Sequence, residues 1–152
     1  MKVGDRTPSF ELQDQDGERV RFDDLRGKGP MVLFFYPKDE TPVCTAEACS
    51  FRDAYAEFSG AGAIVLGISS DDVASHKRFA DKHKLPYKLL ADVGGKVRTQ
   101  LGVPKGMLGL MDGRVTYILD KDGVVKHLHH AALQAQAHVD QAIAMVKQLA
   151  AA

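Results

Sequence analysis

Hydrophobic and polar positions change period repeatedly along the chain, and each change marks an element. Phe10-Glu11-Leu12 and Val20-Arg21-Phe22 alternate on either side of a polar stretch containing Asp16-Gly17, the pattern of an N-terminal β-hairpin. Residues 23–27 read as a short turn or helix that leads through Gly29-Pro30 into residues 31–36, MVLFFY, a nearly unbroken apolar run. A run of this length fits a strand covered on both faces of a largely parallel sheet. Residues 63–69 (AIVLGIS) repeat the pattern, and residues 87–90 give a shorter version.

Between these strands the period is helical. Thr41 is placed to cap a helix whose first position is Pro42, a residue with no amide proton to lose there. At about 100° per residue, Ala48, Phe51, Tyr55 and Phe58 fall close to the direction of Cys44, and Gly60 and Gly62 end the helix. A second helix starts at Asp71-Asp72 and runs to His83, with Val73, His76, Phe79 and Ala80 along one side. Residues 95–101 form a small helix closed by Gly102, and residues 103–113 a loop rich in glycine, methionine and leucine, folded onto its own domain. Residues 115–119 and 124–129 are antiparallel strands joined by a turn at Asp120-Lys121-Asp122-Gly123. Residues 135–150 form the last helix, with Val139, Ile143, Val146 and Ala150 spaced for one buried face. The order predicts a mixed α/β domain with a βαβ unit followed by a ββα unit.

Composition narrows the function. The chain has 152 residues, 45% apolar and 26% charged, which fits one soluble domain over residues 1–152. Twenty basic and twenty acidic side chains cancel, so no electrostatic footprint points to nucleic acid or an anionic membrane. No stretch reaches the ~20 apolar residues of a membrane span, and the opening MKVGDRTPSFELQDQDG lacks the apolar core of a signal peptide. The expectation is a cytoplasmic protein, and in a reducing compartment two cysteines are more often catalytic or redox-sensing than structural.

Candidate chemistry centres on Cys44 and Cys49. Two buried, inert thiols are one reading of such a pair. The position of Cys44 in the first helical turn argues for another, because the unpaired amides and positive dipole end favour a thiolate. Cys49 lies roughly 140° around the helix. In an intact helix the two Cα atoms are ~8.6 Å apart, beyond the ~7 Å a disulfide tolerates, so a bridge requires local unwinding. Cys-x4-Cys with no matching ligand pair nearby lacks the spacing of a zinc site. Glu47, one turn past Cys44, opposes a thiolate, so a cation is required; Arg52, Arg98 and Arg114 are the candidates. His127 and His129 alternate on one strand beside His130, but no local carboxylate joins them at ligand spacing; His76, His83 and His138 read as helix surface or boundary residues.

The segment from Tyr36 to Asp53, YPKDETPVCTAEACSFRD, resembles the active-site segment of the peroxiredoxins. Pro37, Thr41 and Cys44 make the Pro-x3-Thr-x2-Cys core, and Cys49 five positions later resembles the peroxiredoxin Q, or bacterioferritin comigratory protein, group. Arg114-Val115-Thr116-Tyr117-Ile118-Leu119-Asp120 is similar to the family's arginine strand; the departure is Val43, where many members carry glycine. The resemblance covers nearly the whole chain. It implies a thioredoxin-like mixed sheet flanked by helices, with the hairpin added. It also implies a peroxidase acting on hydrogen peroxide and organic hydroperoxides. Cys44 would be the peroxidatic cysteine and Cys49 the resolving cysteine, joined in an intramolecular disulfide. Thr41 and Arg114 would be donors at the site, with Pro37 shielding it from water. Thioredoxin or a similar dithiol protein would be the reductant, with no metal or organic cofactor, and the chain a monomer. Two other classes remain at this point: a thiol-disulfide oxidoreductase, whose usual Cys-x2-Cys spacing bridges without helix opening, and a redox sensor that oxidises without turning over.

Overall fold

The computed structural model describes residues 1–106, 111–131 and 134–151. The hairpin comprises β1 (Glu11–Gln13) and β2 (Arg19–Arg21), followed by α1 (Phe22–Leu25). The central unit is β3 (Met31–Phe35), α2 (Pro42–Asp53), α3 (Tyr55–Gly60), β4 (Ile64–Ser69), α4 (Val73–His83) and β5 (Lys88–Ala91). After α5 (Lys96–Gln100) come β6 (Lys105–Gly106), β7 (Met111–Asp112), β8 (Val115–Leu119), β9 (Val125–His130) and α6 (Ala135–Ala151).

Among the described residues, seven strands form one sheet in the order β2-β1-β5-β4-β3-β8-β9. β3, β4 and β5 are parallel; β8 runs antiparallel to β3, and β9 to β8. All five side chains of β3 are buried. They alternate: Val32 and Phe34 face a core with Phe51, Phe58, Phe79 and Val146, while Met31, Leu33 and Phe35 face one with Phe10, Phe22, Leu90 and Tyr117. The apolar run of residues 31–36 is thus a strand between two layers of cover. The Phe34 ring stacks on Phe51 at 4.4 Å, and burying such a ring contributes roughly 2–3 kcal/mol. Gly67 permits this packing, since a Cβ there would stand 2.6 Å from Phe34 and 2.8 Å from Leu89.

Several expectations require correction. The first long helix is broken at Ala54 (φ −93, ψ 3), which tips α3 while keeping Phe58 within 5.6 Å of Phe51. Part of the 103–113 loop is a two-stranded ribbon, Lys105 opposite Asp112 and Gly106 opposite Met111; residues 107–110 lie outside the described residues. On α6 the buried positions are His138, Val139, Ala142 and Val146, whereas Ala150, in the last turn, is exposed. His76 and His138 are wholly buried rather than surface residues, each because its ring nitrogens find partners inside.

Candidate active site

Strand register brings the site together. Phe35 pairs with Val115 across β3 and β8, so the residues just beyond that pair, Tyr36 and Arg114, leave the sheet side by side. From there the chain turns through Pro37 to Thr41, with Glu40 in the left-handed region (φ 65), and enters α2 at Pro42. Thr45 N–H gives the first helical bond, to the Thr41 carbonyl at 2.8 Å. The amides of Val43 and Cys44 therefore precede the helical ladder, with the positive dipole end around them.

Cys44 is 1% exposed. Arg114, also buried, divides its fork: Nη2 donates to Cys44 Sγ at 3.1 Å and Nη1 to Glu47 Oε1 at 2.7 Å. The guanidinium thus offsets the opposing carboxyl and faces the sulfur, a division one planar cation can make and an ammonium cannot. Burial pushes the Glu47 carboxyl up to about 7, although Arg114 pulls it back. Among the described residues its Oε2 has no hydrogen-bond partner, and it lies 3.5 Å from His138 Nδ1. His138 donates from Nε2 to the Ala131 carbonyl (2.8 Å) and accepts the Thr116 hydroxyl at Nδ1 (2.7 Å). Burial lowers its pKa to about 4, which keeps the ring neutral.

The other candidates fall as follows. Thr41 occupies the cap position, but its hydroxyl makes no capping bond; it turns back to donate to the Lys38 carbonyl at 2.8 Å, a correction set by the tight turn before α2. Pro37 is partly buried between β3 and that turn. Cys49 is partly exposed in the second turn of α2; both thiols are free, and the helix is continuous through them. Arg52 donates to Asp53 (3.0 Å) and to the His83 carbonyl (2.8 Å). Arg98 holds the carbonyls of Gly113 and Tyr36, each at 2.8 Å, and so ties together the chain segments that carry Arg114 and Pro37. Gly113 lets the Pro104 carbonyl approach: a Cβ would stand 2.0 Å from that oxygen. His127 donates from Nε2 to Gln141 Oε1 at 2.7 Å, and His129 packs edge-on against His138 at 4.4 Å between centroids.

A second polar cluster was missed in the sequence. Asp39 accepts Tyr36 Oη at 2.6 Å and Ser75 Oγ at 2.8 Å, and its Oδ2 lies 2.7 Å from His76 Nδ1. Its amide donates to Asp71 Oδ2 at 2.8 Å, which also accepts Ser69 Oγ at 2.6 Å. Burial, then the Asp39 charge, holds the Tyr36 phenol well above its usual range, so it remains a donor. Asp39, Asp71 and His76 are the grouping with metal-ligand proximity among the described residues. These hydrogen bonds join the three side chains to the protein's own groups, which accounts for their proximity without a cation. The signal for it was the helical spacing of His76 with Phe79 and Ala80.

The AhpC/TSA family model matches residues 3–128. A relative, a chloroplastic peroxiredoxin Q from Triticum aestivum, is 49% identical over 149 residues, covering 98% of this chain and 68% of that protein. The crystal structure of peroxidoxin BcpB from Mycobacterium tuberculosis superposes with a TM-score of 0.90 at 41% identity, over 98% of each chain. A Xanthomonas campestris bacterioferritin comigratory protein, described for its alkyl peroxide reduction activity, gives a TM-score of 0.83 at 30% identity, over 93% of this chain and 92% of that one.

Proposed function

This chain belongs to the AhpC/TSA family, is a thiol peroxidase of the peroxiredoxin Q type, and we propose from that premise that Cys44 is the peroxidatic and Cys49 the resolving residue. The Cys44 thiolate attacks one peroxide oxygen; the O–O bond breaks, the leaving alkoxide or hydroxide takes a proton, and Cys44 becomes a sulfenic acid. Cys49 attacks that sulfur and displaces water, giving an intramolecular disulfide. A dithiol protein such as thioredoxin then supplies two electrons and two protons to restore both thiols. Hydrogen peroxide and alkyl hydroperoxides are the substrates; the Xanthomonas protein's described alkyl peroxide reduction supports the second.

The observation that carries this reading is the 3.1 Å approach of Arg114 to the Cys44 sulfur in a buried site. A guanidinium there favours the thiolate and stabilises charge as the O–O bond lengthens. The Thr41 hydroxyl, its proton committed to Lys38, acts as an acceptor for the peroxide O–H, with Pro37 excluding water. The bridge needs residues 44–49 to leave the helix, whose first turns open most cheaply. We propose a monomer as the working unit and the cytoplasm as its compartment.

The test is thiol loss per added hydrogen peroxide, followed by mass spectrometry. Wild type should lose two thiols and gain a Cys44–Cys49 link, Cys44→Ser should lack fast reaction, and Cys49→Ser should stop at the sulfenic acid. Equal, slow oxidation of both thiols would refute the reading.

A further inference from the structure

We propose that Asp39 and His76 are a positioning pair for the peroxidatic turn: they fix residues 36–41, and through them the first turn of α2, against β4 and α4. The proposal rests on the assignment of Cys44 above and adds two residues that do not touch the sulfur.

The geometry makes Asp39 the node of that turn. Each carboxylate oxygen and the backbone amide are engaged, and apart from Tyr36 the partners (Ser69 through Asp71, Ser75 and His76) sit at the end of β4 or on α4. Asp39 precedes Glu40, whose φ of 65 is a conformation a non-glycine residue keeps only where its surroundings hold it. Two residues further on, Pro42 opens α2. The direction in which the Val43 and Cys44 amides present themselves is therefore set from Asp39.

His76 is built for this contact. Its Nε2 faces the Leu90 carbonyl at 2.9 Å; a carbonyl only accepts, so that nitrogen bears a proton. Its Nδ1 faces the Asp39 carboxylate at 2.7 Å, so a second proton lies between ring and carboxylate. The ring thus spans from β5 to the turn with a hydrogen-bond partner at each nitrogen, fully buried, and Asp72 caps α4 one turn before it through Ser75 N–H. A misplacement of about 1 Å at reacting groups costs up to ~100-fold in rate, so a turn released from His76 should be visible in Cys44 reactivity.

Two substitutions separate positioning from packing. His76→Asn keeps a donor where Nδ1 stands and loses the Leu90 contact; His76→Gln keeps a donor near Nε2 and loses Asp39. Peroxide oxidation of Cys44, its alkylation by iodoacetamide and its ultraviolet thiolate absorbance are measured beside urea midpoints. The expected result is a fall of roughly 10- to 100-fold in both Cys44 rates, with weakened thiolate absorbance, for His76→Gln, and rates within about threefold of wild type for His76→Asn. Equal rates in both variants, whether high or low, overturn the proposal. Wild type provides a reading that needs no variant: ring-nitrogen NMR should show the His76 Nδ1 signal moving when Cys44 is alkylated, and an unmoved signal also overturns it. Failure of wild type to consume peroxide through Cys44 would instead sink the functional assignment.

Discussion

Two buried carboxyl–histidine pairs flank the first turn of α2, and they differ in every respect that matters for chemistry. Asp39 and His76 are 2.7 Å apart, share a proton, and leave neither carboxylate oxygen idle. Glu47 and His138 are 3.5 Å apart; the ring is neutral, and one carboxylate oxygen has no hydrogen-bond partner among the described residues. The first arrangement resists movement because each displacement breaks several hydrogen bonds. The second tolerates a change of charge, because Glu47 sits near the midpoint of its titration while Arg114 links it to the Cys44 sulfur. Fixity and adaptability are thus divided between the two sides of one helix turn.

The largest effect is expected from cutting the link itself. Arg114→Lys removes the fork that reaches Glu47 and Cys44 together, and the rate of Cys44 oxidation should fall about 100- to 1000-fold, the usual cost of one preorganised donor at a reacting centre. Stopped-flow oxidation with hydrogen peroxide measures it; a loss under fivefold would detach Arg114 from the chemistry.

The adaptable pair predicts opposing pH dependences of stability. Glu47 is raised from 4.5 to about 7, so it binds more protons folded than unfolded; its contribution is full below 4.5 and is lost as pH rises through about 7. His138 is lowered from 6.5 to about 4, so its contribution is present above 6.5 and lost as pH falls through about 4. In wild type the two trends offset one another. Glu47→Gln should leave the His138 trend alone, a gain on the order of 2 kcal/mol between pH 4 and 6.5 in urea unfolding. An unchanged pH profile would show that Glu47 does not titrate there.

The fixed pair should respond to deletion of one donor. Tyr36→Phe removes the hydroxyl from Asp39 and should cost about 1–2 kcal/mol in urea unfolding at neutral pH, as a hydrogen bond to a charged group does. A smaller signal comes from α2: amide exchange across residues 42–52 should quicken in the oxidised protein, since a Cys44–Cys49 bridge cannot form in an intact helix. Equal protection in both redox states would exclude unwinding.

Much of this site was legible in the sequence, unevenly. The strand, turn and capped helix of residues 31–53 are local, and local pattern describes them well. The pairing of Glu47 with a cation follows from the need to offset a carboxyl one turn from a thiolate, and the motif around Arg114 pointed to the partner. The turn of the Thr41 hydroxyl toward Lys38 escaped because it depends on the left-handed φ of Glu40. The break at Ala54 escaped because neither glycine nor proline marks it.

Sequence alone determined the order of the main strands and helices and the first-turn location of Cys44, because each depends on residues within a few positions of one another. The tertiary structure decided which distant groups meet. Asp39 and His76 are 37 residues apart, Thr116 and His138 are 22 apart, and Glu47 and Arg114 are 67 apart. These meetings follow from strand order and register, with β8 laid antiparallel against β3 and α4 crossing over to β5. Burial and neighbours then set each histidine's surroundings: a ring is exposed, or held at one nitrogen or at both, according to the groups the fold places beside it, and that information lies in no single segment of the chain.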